Sequence, residues 1–143
     1  MNQRIRHHRR GSAVLDAALV FPVLLGLTFG CVEFGHYFFI KHTLQGAARE
    51  GARAAAAPGS VDNDVTTAIT QSMNAAGISA ANWTRYIQDT TTPTPNNISV
   101  NQPAGTAIVV KVECTWGTVG LRPMRLIGAS KKVVGSTSMR KEG

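Results

Sequence analysis

An apolar run near the start of the chain sets the terms for everything after it. Ala17 to Val32 is 16 residues without a charge, and Phe34 to Ile40 prolongs the apolar character beyond Glu33. At ~1.5 Å of rise per residue, a helix from Ala17 to Ile40 covers about 36 Å, enough to cross a hydrocarbon core of ~30 Å with some tilt. The segment reads as an anchor over about residues 14–40. A secretory signal peptide also begins with a basic leader, but its apolar core is shorter and ends at a small-x-small cleavage site. Here Glu33-Phe-Gly-His-Tyr-Phe-Phe-Ile40 follows instead, so an uncleaved anchor fits better. Arg4, Arg6, Arg9 and Arg10 outweigh Lys41, Arg49 and Arg53 by one, which places the N-terminus in the cytoplasm by the positive-inside rule. The remainder is then a domain outside the cytoplasmic (inner) membrane, carried on a single-pass anchor.

The net charge of +7 raises the question of nucleic acid, but its distribution argues against it. Without the four leader arginines the charge falls to +3, and the remaining basic residues are scattered with no aromatic platform beside them. The two cysteines, Cys31 in the apolar run and Cys114 in a strand-like segment, read as free thiols. A bridge between them would tie an anchor to a sheet.

Helical character continues through "KHTLQGAAREGARAAAA" until Pro58-Gly59 stops it. At 100° per residue, Gly26, Gly30, Glu33, Tyr37, Leu44, Ala48, Gly51 and Ala55 fall on one stripe, with His42, Arg49 and Arg53 on another side. Within the anchor, Gly26-x-x-x-Gly30 has the spacing for close helix approach. An equal alternative is that these glycines only dilute an anchor. Beyond the anchor, the small residues leave room for a sheet or second helix. Pro22 interrupts the helix interior and should kink or loosen it. Two acids flank the run: Asp16 and Glu33 are about 26 Å apart along a helix, so both can lie near membrane boundaries, where an acid costs least. Glu33 also lies on the glycine stripe, which points toward a neighbouring helix.

"RRGSAVLDAALVFP" resembles a prepilin N-terminus: a basic leader, a glycine, then an acid five residues on within an apolar helix. With "GCVEFG" and "LQGAAREGARAAA" the segment from Arg9 to Ala57 is similar to the TadE-like family of minor pseudopilins of tight-adherence (Flp) pilus systems. "KKVVGSTSMRKE" is weakly similar to that family's final strand. The resemblance implies cleavage by a prepilin peptidase between Gly11 and Ser12, leaving Asp16 as the fifth residue. There it would neutralise the N-terminal ammonium of an adjacent subunit, where prepilins usually carry Glu. The implied partners are the membrane, the peptidase, other pilin or pseudopilin subunits and the pilus assembly platform.

After Pro58-Gly59, Val61, Val65, Ile69, Met73 and Ala76 recur at helical steps, with Ser60 as a candidate cap and Gly77 as a stop. Trp83 to Val100 has no clear period, and "DTTTPTPNN" reads as a loop. "TAIVVKVECTW" alternates, with Ile108, Val110, Val112, Cys114 and Trp116 on one face, so Cys114 reads as a core residue. "GLRPMRLIG" reads as a connection with a short apolar anchor, and Lys131 to Met139 as a final strand. The expected fold is α+β and pilin-like: a leader over 1–11, a long helix over 12–57, and a small exported domain over 58–143 with a short helix and an antiparallel sheet. No phosphate-binding glycine loop, nucleophile elbow or metal-ligand cluster occurs, and His36 and His42 are wrongly spaced for a helical metal pair. No catalytic residue, metal or cofactor is expected. Outside the pilus reading, the competing function is a single-pass cell-envelope binding protein with an uncleaved anchor.

Overall fold

The structure, a computed structural model, describes residues 10–89 and 97–142, the first three by their backbone alone. The leader before Arg10 and most of the proline-containing loop lie outside the described residues. The architecture is α+β: a long apolar helix, a shorter helix and a three-stranded antiparallel sheet.

Helix α1 (Arg10–Ala56) runs for 47 residues without interruption through Pro22. At helical rise that is about 70 Å. The two halves of this rod differ in surroundings. Up to Val32 it buries almost nothing, and its candidate membrane-spanning stretch is unburied by the rest of the molecule. From Ile40 onward, Ile40, Leu44, Ala47, Ala48, Ala52 and Ala55 are buried in the domain core. The predicted stripe is therefore the packing face of this upper half. Arg49 and Arg53, assigned to another side by the same periodicity, are exposed.

Helix α2 (Asp62–Ala75) packs on α1 through Val65, Ile69 and Met73. Its start differs from expectation. The first helical turn is closed by the Asp64 carboxylate, which accepts the Val61 N–H at 3.0 Å, while Ser60 Oγ donates to the Ala55 carbonyl at 3.0 Å. Ser60 thus serves the end of α1, because the tight Pro58-Gly59 turn folds it back over that terminus. At the other end Gly77 closes α2 as expected: its N–H donates to Asn74 and that of Ile78 to Met73, the paired bonds of a Schellman turn.

The strands β1 (Trp83–Asp89), β2 (Ala107–Thr115) and β3 (Lys132–Arg140) pair in that order, with Val110 opposite Ile87 on one side and Thr137 on the other. The inward set of β2 is Ile108, Val110, Val112 and Cys114, as its alternation foretold. Trp116 is buried too, but it opens a four-residue helical turn, α3 (Trp116–Val119), instead of ending the strand. Strand β1 is not legible in its sequence, because the inward positions of "WTRYIQD" include Arg85 and Asp89.

Two glycines permit the contact between rod and sheet. A Cβ on Gly51 would lie 2.7 Å from Ile69 and 3.1 Å from Val110. A Cβ on Gly135 would run into the Leu44 carbonyl, so β3 crosses α1 backbone to backbone. Gln45 marks the crossing: its amide donates to the Ser136 carbonyl and accepts the Ser136 N–H. Lys141, just past β3, closes the C-terminal end of the rod. Lys141, 6% exposed, donates from Nζ to the carbonyls of Ala55 and Ala57 and to Ser60 Oγ, at 3.1, 2.7 and 2.6 Å. Three oxygens meet three ammonium protons at a helix C-terminus, where the dipole favours a cation.

Candidate functional site

Below the domain, α1 is sheathed on one side only. Past α3 the chain leaves the sheet and descends along the rod before returning as β3. Met124 and Leu126 reach the positions of Gly26 and Gly30: a Cβ on either glycine would meet Met124 Cε at 3.8 Å or Leu126 Cδ1 at 3.7 Å, ordinary van der Waals contact. About one turn beyond Gly30 stands Glu33, fully buried. Its Oε1 accepts the Ile127 N–H at 2.9 Å and its Oε2 the Met124 N–H at 3.2 Å. A carboxyl on an apolar rod thus satisfies two amides of irregular backbone that sit far from any sheet ladder. Arg125, between those two amides, adopts a left-handed φ of 55°.

One turn higher is an aromatic layer. Tyr37 meets Trp116 edge-on at 5.4 Å between centroids, and His36 lies 5.7 Å from Trp116 and 5.9 Å from Phe39. The His36 Nε2–H donates to the Val119 carbonyl at 3.1 Å. His36 is therefore engaged in fixing the start of the descending segment.

The stripe Gly26, Gly30, Glu33 and Tyr37 is thus brought together, and what lies on it is the chain's own connection between α3 and β3. Glycine spacing and an off-pattern acid marked the stripe in the sequence. The occupant carried one signal, the apolar Met124, Leu126 and Ile127 within a segment that reads as a connection. Asp16 stands apart: it is exposed, two turns below Pro22, and no side chain among the described residues pairs with it. Gly11 and Ser12 lie in the first turn of α1, and their side-chain surroundings fall outside the described residues.

The outer face of the sheet carries a separate ionic cluster. Glu113 pairs with Lys132 at 2.9 Å and Lys111 at 3.2 Å, and Tyr86 O–H reaches its Oε1 at 3.4 Å. The Lys132 hydrogen bond, against some desolvation, holds the Glu113 carboxyl below its ordinary range, and Glu113 in turn raises Lys132. Glu113, Lys132 and Tyr86, with Trp83 and Cys114, line a cleft open to solvent. Burial pushes the Cys114 thiol up to about 11, away from the thiolate form in which a cysteine reacts. Among the described residues no group of three or more His, Cys, Asp or Glu side chains could hold a metal ion.

Neither a curated protein nor a solved structure matches the chain. One family model does, and it covers 43 of the 143 residues. Those residues form the apolar stretch of α1 and most of the rod's packing stripe, Asp16, Gly26, Gly30, Glu33 and Tyr37 among them. Over residues 11–53, in the segment that builds the apolar rod, this chain matches the TadE-like protein family.

Proposed function

We propose that this protein is a membrane-anchored pseudopilin that assists assembly of a tight-adherence (Flp) pilus or a related secretion apparatus. The family match over residues 11–53 carries the proposal, because that segment is the apolar rod. The rod's composition and form support it: one helix long and apolar enough to span a membrane, with a folded domain clasped to its far end. The protein performs no chemistry in this role. It is the substrate of a prepilin peptidase that cuts between Gly11 and Ser12, and it works afterwards through contacts with other pilin or pseudopilin subunits and the assembly platform. The N-terminus faces the cytoplasm and the domain lies outside the inner membrane. The proposed partner of Asp16 is the new ammonium of an adjacent subunit, and the exposure of this acid on the bare part of the rod supports that role. An ion pair in that low-dielectric setting gives register at the cost of desolvation.

The test is the intact mass of the protein from its native host. A mass beginning at Ser12 is expected. A chain that keeps its leader while the peptidase is active would leave a single-pass envelope protein outside any pilus. Asp16→Ala is expected to insert in the membrane yet impair pilus formation; normal assembly would remove the ion-pair role.

A further inference from the structure

The segment from Gly120 to Gly128 lies beside the anchor, at a height that loop backbone rarely occupies. Its contacts run from Gly26 to Glu33, seven residue steps along α1, so it takes up about 10 Å of the rod's length. At that height the uncovered faces of the rod present Leu27, Phe29, Val32 and Phe34, between 45% and 65% exposed. Large apolar side chains around a helix require an apolar surrounding. Whatever surrounds them surrounds the segment as well. The segment answers in kind, with Leu121, Met124 and Leu126 exposed at 56%, 42% and 54%. It also carries Arg122 and Arg125, neither of which forms an ion pair among the described residues, and Arg122 Nε is buried without a partner. Apolar side chains interleaved with unpaired guanidinium groups suit the boundary between acyl chains and anionic headgroups, where interfacial elements lie ~5–10 Å deep.

We infer that residues 120–128 dip into the bilayer leaflet on the side of the folded domain, as a re-entrant strap along the anchor. Leu121, Met124 and Leu126 sit among acyl chains, and Arg122 and Arg125 reach toward lipid phosphates. Irregular backbone survives in hydrocarbon only where protein satisfies its polar groups. Glu33 does this for the Met124 and Ile127 amides, which accounts for a carboxyl buried against an apolar helix. The inference rests on the reading of α1 as a membrane anchor. It gives the domain a second hold on the membrane, fixing its height and rotation about the rod. Departure of the subunit into a filament then requires the strap to leave the lipid.

The test uses nitroxide labels on the full chain in vesicles of phosphatidylcholine with phosphatidylglycerol, in a Cys31→Ser, Cys114→Ala background. Met124→Cys reports the strap, Leu19→Cys the anchor, and Thr67→Cys on α2 the aqueous side. Labels at 124 and 19 are expected to relax with dissolved oxygen and to lose broadening by a nickel chelate, with the reverse at 67. Nickel access at 124 with protection at 19 would overturn the strap and leave the anchor standing. Nickel access at both would overturn the anchor reading and the strap with it. Shielding of 124 from both reagents, with dipolar broadening between chains, would assign the surface to a second copy and overturn the lipid contact. In phosphatidylcholine alone, or with Arg122→Gln and Arg125→Gln, nickel access at 124 should rise. No change would overturn the part given to the arginines.

Discussion

Ile127 donates its backbone N–H to Glu33 Oε1 at 2.9 Å across 94 residues of sequence, and this bond, with that from Met124, ties the connection between α3 and β3 to helix α1. Glu33→Ala leaves both amides without an acceptor, at about 1–3 kcal/mol for each buried donor. Thermal unfolding in detergent is expected to show that loss, and amide exchange at Met124 and Ile127 to accelerate. Glu33→Gln keeps one acceptor oxygen and should fall between. Unchanged exchange in Glu33→Ala would mean that the segment is held by its apolar contacts alone.

Substitution at glycines of the rod and of the strand that crosses it separates close approach from helix propensity. Gly135→Ala and Gly51→Ala force a Cβ into the Leu44 carbonyl and into Ile69, and each is expected to cost roughly 1–3 kcal/mol or more by overpacking. Gly46, on the same helix as Gly51, has nothing within 4 Å of a Cβ. Gly46→Ala should therefore stabilise by about 0.5–1 kcal/mol, the helix-interior cost of glycine. Denaturant titration of the three variants reads the contrast, and a stabilising Gly135→Ala would contradict the backbone crossing.

Lys141→Met removes the donor that closes the end of α1 and leaves the Ala55 and Ala57 carbonyls and Ser60 Oγ without it. A loss of about 1–3 kcal/mol is expected, measured by chemical unfolding. Accelerated exchange of the Ser60 and Glu142 amides, which donate to Ala57 and Ala56, should accompany it.

The Glu113 cluster sets a pH dependence. A carboxyl whose folded pKa is depressed stabilises the fold above its unfolded value, and that contribution disappears as pH falls through the folded value. Lys132, raised by the same contact, keeps its contribution until pH climbs through its own elevated folded value. Melting temperature should thus decline on acidification below the ordinary carboxylate value of 4.5, and Glu113→Gln should flatten that decline. An equally steep acid limb in the variant would place the titrating group elsewhere.

The rod, its packing stripe and the core face of β2 are legible in the residues because each rests on local periodicity. Leu44, Ala48, Gly51 and Ala55 recur on one helical face, and Ile108, Val110, Val112 and Cys114 on one strand face, and burial follows both patterns. β1 is hidden because Arg85 and Asp89 occupy inward positions, and only pairing with β2 makes a strand of "WTRYIQD". Ser60 has the composition of a cap for α2, yet the turn before it delivers its hydroxyl to Ala55 and to Lys141.

Glu33 marks the boundary between the two kinds of information. An acid on a glycine stripe points toward a partner for this face of α1, while its position also suits a membrane boundary, where an acid costs least. What covers it is absent from local pattern, because its partners are two main-chain amides 91 and 94 residues away, and main-chain donors are the same in every sequence. Local periodicity and apolarity specify elements and their faces. The meeting of Glu33 with Met124 and Ile127 belongs to the tertiary fold, in which the packing of α3 against the rod and the return of β3 across Leu44 deliver the connecting segment to it.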